Sequence, residues 1–235
     1  MTTIEPRLSP LPAMEAPVME TCAMEALAFE APYLIEKLVK DCIAETPDEA
    51  QRLFTEVKRY LILATLDPAR VWHMYSLLID ECWHQFILFT REYMDFCRRY
   101  FGRYVPHAPS NAPEVKPAGP AEQTTFKQFA ERYEAIFGLP LPNLWRDADN
   151  VTTRRRVVNS HAGGLTLREE EGQVELLNRA GTVVLAVNDL ARDALAFIAA
   201  TGAFYVRELP GDLDDEEKVA LASILVECKV LRLAS

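Results

Sequence analysis

Apolar residues recur at helical spacing through the first half of the chain and give way to alternating, β-branched runs in the second. Met24 to Glu45 carries Leu27, Tyr33, Leu34 and Leu38 at helical intervals, which predicts a first helix. Thr46-Pro47-Asp48-Glu49 then reads as a helix start, with Thr46 as cap, Pro47 at the first helical position and Glu49 completing a capping box, for a helix running to about Ala64. Asp67-Pro68 repeats the signal and predicts a helix from Val71 to about Phe89, after which Thr90 is placed to cap a further helix ending at Gly102. Prolines crowd the segment from Val105 to Pro120 and exclude regular structure there, leaving a loop that either wraps the helices or stands free. A helix from Thr124 to Phe137 closes this half.

The Gly138-Leu-Pro-Leu-Pro142 turn and the polar stretch from Asp147 to Gly164 read as a linker, with the boundary near Asn159. Beyond it, Gln173–Leu177 and Thr182–Val187 alternate and are joined by Asn178-Arg-Ala-Gly181, a β-hairpin pattern. Asp189 is placed to cap a helix ending at Gly202, and Val206 to Pro210 forms a short turn of helix or strand. Asp214 or Asp215 caps a helix through Cys228, and Val230 to Leu233 returns as a strand. No internal repeat is visible. The fold class is α+β: a disordered tail over 1–20, a helical bundle over 21–146, a linker over 147–164 and a small mixed domain over 165–235.

At 235 residues, with 49% hydrophobic and 26% charged positions, the chain has the composition of a globular protein able to bury a core. A formal net charge of −10 opposes nucleic-acid binding, which needs a basic surface to release counterions. Arg154-Arg155-Arg156 is the one basic cluster, and it reads as a solvated charge run in the linker. Met1 to Pro17 lacks the basic start and apolar core of a secretory signal, and no run reaches the ~20 apolar residues of a membrane span, so a cytoplasmic protein with no membrane partner is expected. Five cysteines, Cys22, Cys42, Cys82, Cys97 and Cys228, are odd in number and irregular in spacing, so most are expected reduced and buried.

Reactive side chains concentrate in Asp80-Glu-Cys-Trp-His84, Tyr93-x-x-x-Cys97 and Gly102-Arg-Tyr-Val-Pro-His107. Asp80 and His84 stand four residues apart in an apolar run, so a helix stacks them on one face, close enough to hydrogen bond or to share a metal. His73 shares that face but lies eleven residues from His84, ~16 Å along a helix axis, and drops out of any single-ion site. A third ligand could come from His107 or from Cys97; the apolar spacing of Cys97 with Tyr93, Phe96 and Tyr100 favours core packing for the cysteine. Two readings stand side by side: Asp80, His84 and His107 as ligands of iron or zinc, or Asp80–His84 as a buried hydrogen-bonded pair packed by Trp83, with Tyr93 and Cys97 in structural or supporting positions.

Asp80, Trp83-His84, Tyr93, Cys97, Gly102 and His107-x-Pro109 together resemble the plant glycine-rich domain-containing protein family and its bacterial relatives, over roughly Ala44 to Pro109. That resemblance implies the helical module and this residue set, and no reaction. The chain has only nine glycines and lacks a glycine-rich tail, so the plant proteins' wider architecture does not carry over. From Leu165 to Ser235, the order of elements, with Phe197, Leu209, Leu221 and Leu225 at core positions, resembles winged-helix domains, including the peptide-recognition elements of ribosomal-peptide modification pathways.

Three functions follow as expectations. The first is an accessory protein that binds a modifying enzyme, a peptide, or both, with a peptide-binding surface within 165–235 and acidic runs at Glu169-Glu170-Glu171 and Asp212 to Glu217 facing a basic partner. The alternative is a metal-dependent oxidase or hydrolase using Asp80, His84 and His107. A DNA-reading regulator is disfavoured, because Glu216 to Lys229 would present carboxylates to phosphate. Neither a phosphate-binding glycine loop nor a Gly-x-Ser-x-Gly elbow occurs.

Overall fold

The computed structural model describes residues 16–68, 70–107, 122–170 and 172–234. The expected tail over 1–20 falls largely outside these residues, and the chain is already helical from Ala16. Helix α1 (Ala16–Glu25) runs into a 3-10 turn, and α2 (Pro32–Lys40) follows. The single helix expected over Met24–Glu45 is therefore broken. Pro32 forces Ala31 out of the helical region, to φ −138° and ψ 70°. Lys58 closes the gap, its Nζ donating to the carbonyls of Leu27 at 2.7 Å and Phe29 at 2.9 Å.

Helix α3 (Pro47–Leu66) begins as its sequence dictates, with Thr46 accepting from the Glu49 amide at 3.1 Å. The Glu49 carboxylate accepts from the amide of Glu45 rather than that of Thr46, so the box closes one residue early. This helix is the axis of the first unit. Leu53, Phe54, Val57, Leu61, Ile62 and Leu63 are fully buried, which only a helix covered on several sides can achieve. Glu56 is buried among them, and its carboxylate accepts from Arg59, Tyr133 and Trp145 at 2.7–2.9 Å.

The helix expected over Val71 to about Phe89 forms only from Leu77. Strand β1 (Arg70–Val71) pairs in parallel with β2 (Glu122–Gln123), and the chain stays extended until α4 (Leu77–Leu88). The Tyr60 hydroxyl donates to the Trp72 carbonyl at 2.6 Å and the Trp72 indole to the Asp67 carbonyl at 3.1 Å, bonds that hold the segment extended. Ser76 caps α4. Helix α5 (Thr90–Phe101) ends where predicted, at Gly102 with φ 65°, a left-handed position that suits glycine. Thr90 is its first residue rather than its cap. Helix α6 (Phe126–Phe137) carries a full capping box from Thr125 and Gln128.

The segment 147–164, expected as a linker, is built into the second unit. Asp147–Asn150 forms a 3-10 turn, and β3 (Arg156–Val158) is the central strand of a three-stranded sheet with β7 (Ala203–Tyr205) and β8 (Arg232–Leu233). Between β3 and β7 lie an antiparallel meander of β4 (Thr166–Glu170), β5 (Gln173–Leu177) and β6 (Val183–Asn188), and helix α7 (Arg192–Ala200). The expected hairpin is β5–β6; β4 adds a strand that the charged Thr166–Glu170 run hides. Asn188, not Asp189, accepts at the start of the turn into α7. Helix α8 (Asp215–Glu227) starts with an Asp214–Glu217 capping box. Val157, Leu176, Leu195, Ile198, Phe204 and Leu225 fill a second core, separate from the first.

The architecture is α+β, with helices in the first unit and two small antiparallel sheets in the second. Polar contacts join them. Arg155 is buried and donates to the Ile43 carbonyl at 2.6 Å and to the Glu49 carboxylate, so the middle of the arginine triplet is an internal tie rather than a solvated charge; Arg154 and Arg156 are exposed. Among the cysteines, all free, Cys82 and Cys97 are buried and Cys42 and Cys228 are exposed, fewer buried than expected. Among the described residues no helix is long and apolar enough to cross a membrane.

Candidate metal centre

Helix α4 places Asp80 and His84 one turn apart, with His84 Nδ1 3.6 Å from Asp80 Oδ2. The segment leaving α5 folds back over them and sets His107 Nε2 2.9 Å from Asp80 Oδ1. The two imidazole rings lie 4.2 Å apart between centroids. One donor atom from each of Asp80, His84 and His107 can be chosen so that all lie within 4.8 Å of one another.

The return of His107 is built from residues that sequence spacing singled out. After the left-handed Gly102, the Val105 carbonyl accepts from the Tyr93 hydroxyl at 2.6 Å, and that hydroxyl accepts from the Trp83 indole at 3.1 Å. The Trp83 ring then meets His107 edge-on, with centroids 4.4 Å apart. Cys97 is buried beside this segment, one turn along α5 from Tyr93. Burial raises the pKa of the Cys97 thiol, and likewise that of Cys82. The donor group formed by Asp80, His84 and His107 does not include Cys97. His73 lies in the extended segment before α4, off the helix on which its spacing placed it. Pro109 lies outside the described residues.

Asp80 is less buried than its apolar neighbours suggested: its side chain is 23% exposed, against 12% for His107 and 43% for His84. The site is therefore walled by Trp83 and His107 on one side and open to solvent at His84. Two contributors escaped sequence reasoning. Glu81 stands 3.9 Å from His84 Nδ1 and is held by Gln85 at 2.6 Å, a spacing of three and four residues that was there to be read. Asp147 reaches the start of α4, accepting from the Ser76 hydroxyl at 2.9 Å and the Leu77 amide at 3.1 Å. It stands 71 positions from Ser76, and no local pattern announces it. Burial raises its pKa, against the lowering effect of these bonds, and a carboxylate at a helix N-terminus offsets the local dipole.

Chemically, the group offers two nitrogens and one carboxylate on an open face. His107 lies 2.9 Å from one Asp80 oxygen and His84 3.6 Å from the other, near the ~3–3.5 Å between neighbouring ligands each ~2.1 Å from one ion. The same atoms also satisfy a hydrogen-bonded Asp–His pair.

Residues 22–130 match the model of the UCP032817-like family, a description that names no reaction. The match lies within the helical unit and contains Asp80, Trp83, His84, Tyr93, Cys97 and His107. No curated protein and no solved structure matches the chain.

Proposed function

We propose that Asp80, His84 and His107 hold a divalent transition metal, iron or zinc, and that the chain is a metal-dependent enzyme of the oxidase or hydrolase type. The observation that carries this reading is the convergence of His107 on the Asp80–His84 pair, since a structural pair on α4 needs no third ligand brought in from beyond α5. Two imidazoles and a carboxylate suit iron(II) or zinc, and three protein ligands with an open side leave room for water or substrate. Bound there, the metal would polarise a substrate oxygen or acidify a water. Trp83 and Tyr93 position His107, and Glu81 adds negative charge 3.9 Å from His84 Nδ1. Titration with cobalt(II), followed by its visible d–d absorption, tests the site: saturation at one equivalent and displacement by zinc are expected, and absence of any such band in the folded protein counts against it.

A second reading, an accessory protein that binds a peptide through a winged-helix-like second unit, draws on one strand. Strand β6 is an edge of the meander, and its sequence Val-Val-Leu-Ala-Val-Asn is uncharged, with Val183 40% exposed. Edge strands are commonly blunted by charge, as β4 is by Arg168, Glu169 and Glu170. An uncharged edge, with Cys228 against the Val184 carbonyl at its start, suits a peptide strand added further along. Ala186→Pro removes a backbone donor from β6; loss of peptide capture with the metal site intact would support this reading.

A further inference from the structure

A cleft of about 340 Å³ opens in the second unit between the loop before β4, the β5–β6 turn and the turn after α8, away from Asp80 and its partners. That volume is at the lower end of the ~300–1,000 Å³ typical of small-molecule sites. In a chain of net charge −10, its lining includes His161, Arg179 and Lys229 and no carboxylate. Neither Arg179 nor Lys229 forms an ion pair among the described residues.

Both cations are exposed side chains carried on hydrogen-bonded turns. Arg179 belongs to the turn in which the Asn178 side chain accepts from the amides of Ala180 at 2.9 Å and Thr182 at 3.0 Å. Its guanidinium lies close over Gly164, where an added Cβ would come within 3.3 Å of Nε and Nη2. Lys229 ends α8 with φ 59°, the left-handed position that glycine usually fills at a helix C-terminus. The amides of Lys229, Val230 and Leu231 bond back to Val226 and Leu225, which locks that turn. A lysine stands where glycine is favoured, and it lines the cleft.

We propose that this cleft binds a small molecule through a phosphate or carboxylate group, with Arg179 and Lys229 as its anchoring cations and His161 beside them. A guanidinium and an ammonium lining one cleft without a competing carboxylate are the chemistry of oxyanion recognition. The inference stands apart from the metal reading and survives its failure.

The test titrates the full chain, at ionic strength held constant with sodium chloride, with inorganic phosphate and separately with succinate, following amide shifts by NMR. Saturable shifts at 160–165, 178–184 and 228–230 are expected with at least one anion, and the one that saturates assigns the group as phosphate or carboxylate. Arg179→Gln is expected to weaken binding roughly tenfold. Lys229→Gly is expected to weaken it similarly while raising the melting temperature of the ligand-free protein, because glycine relieves the left-handed position; a purely structural lysine would give the second effect alone. No saturable shift with either anion, or unchanged affinity in either variant, overturns the proposal.

Discussion

Lys58 shows how one side chain can set local architecture. Its ammonium is buried in the helical unit, 4.9 Å from the Phe54 ring centroid, and satisfies two carbonyls where α1 and α2 part. Burial lowers its pKa to about 8, only partly opposed by Glu30. Between about pH 8 and 10 the unfolded chain therefore binds the extra proton, and Lys58 adds stability as pH rises through that window. Cys82 and Cys97, whose pKa values are raised, act in the opposite sense as pH climbs past the usual thiol range, so a difference measurement is needed. Lys58→Met should cost about 1–3 kcal/mol at pH 7 by stranding the carbonyls, and urea melts should show the gap to the native chain widening from pH 8 to pH 9.5. At the site, Tyr93→Phe removes the hydroxyl that joins Trp83 to Val105 and frees His107; metal affinity should fall about 10–100-fold with the fold retained, read by competition with a chelator dye. Asp80 and His84 were legible as neighbours, because helical spacing links them, while His107 stood in the sequence only as an alternative to Cys97. The return of His107 was not legible, since it depends on a hydrogen bond to a backbone carbonyl.

At the level of elements, some caps were legible and others were not: α5 and the turn into α7 do not use Thr90 and Asp189 as caps, and the Ser76 cap of α4 went unread. Thr46 and Asp214 capture amides three residues on, as their sequences dictate, and Gly102 ends α5. Helix α4 begins at Leu77 rather than Val71, because Trp72 and Tyr60 hold the preceding residues extended and Asp147 arrives from the far side to receive the first amides. Strands β3 and β4 were missed for a related reason. Their arginines and glutamates break the alternation, and their pairing partners lie elsewhere in the chain or across a turn. Because Asp147 anchors the helix that bears Asp80 and His84, Asp147→Ala should destabilise the protein by about 0.5–2 kcal/mol, with Asp147→Asn costing less because it keeps an acceptor; thermal melts of the two variants decide.

Across the whole molecule, two cores share one covalent chain and a polar seam. Arg155 crosses that seam to Ile43 and Glu49, and Thr152 donates to Glu45 beside it. Arg155→Met should cost about 3 kcal/mol by leaving Glu49 without its partner, and calorimetry should show one transition becoming two as the units uncouple. The Asp80–His84–His107 group lies wholly in the first unit and within the family match, whereas the cleft lined by Arg179 and Lys229 lies wholly in the second. The central claim is that Asp80, His84 and His107 are ligands, and elemental analysis tests it most directly. The full chain, purified without chelator, is compared with Asp80→Ala, His84→Ala and His107→Ala variants shown to be folded by circular dichroism. About one equivalent of iron or zinc in the native chain, lost in all three variants, is the predicted result; no metal in the native chain, or metal retained in every variant, would contradict it and leave Asp80 with its histidines as a structural hydrogen-bonded group.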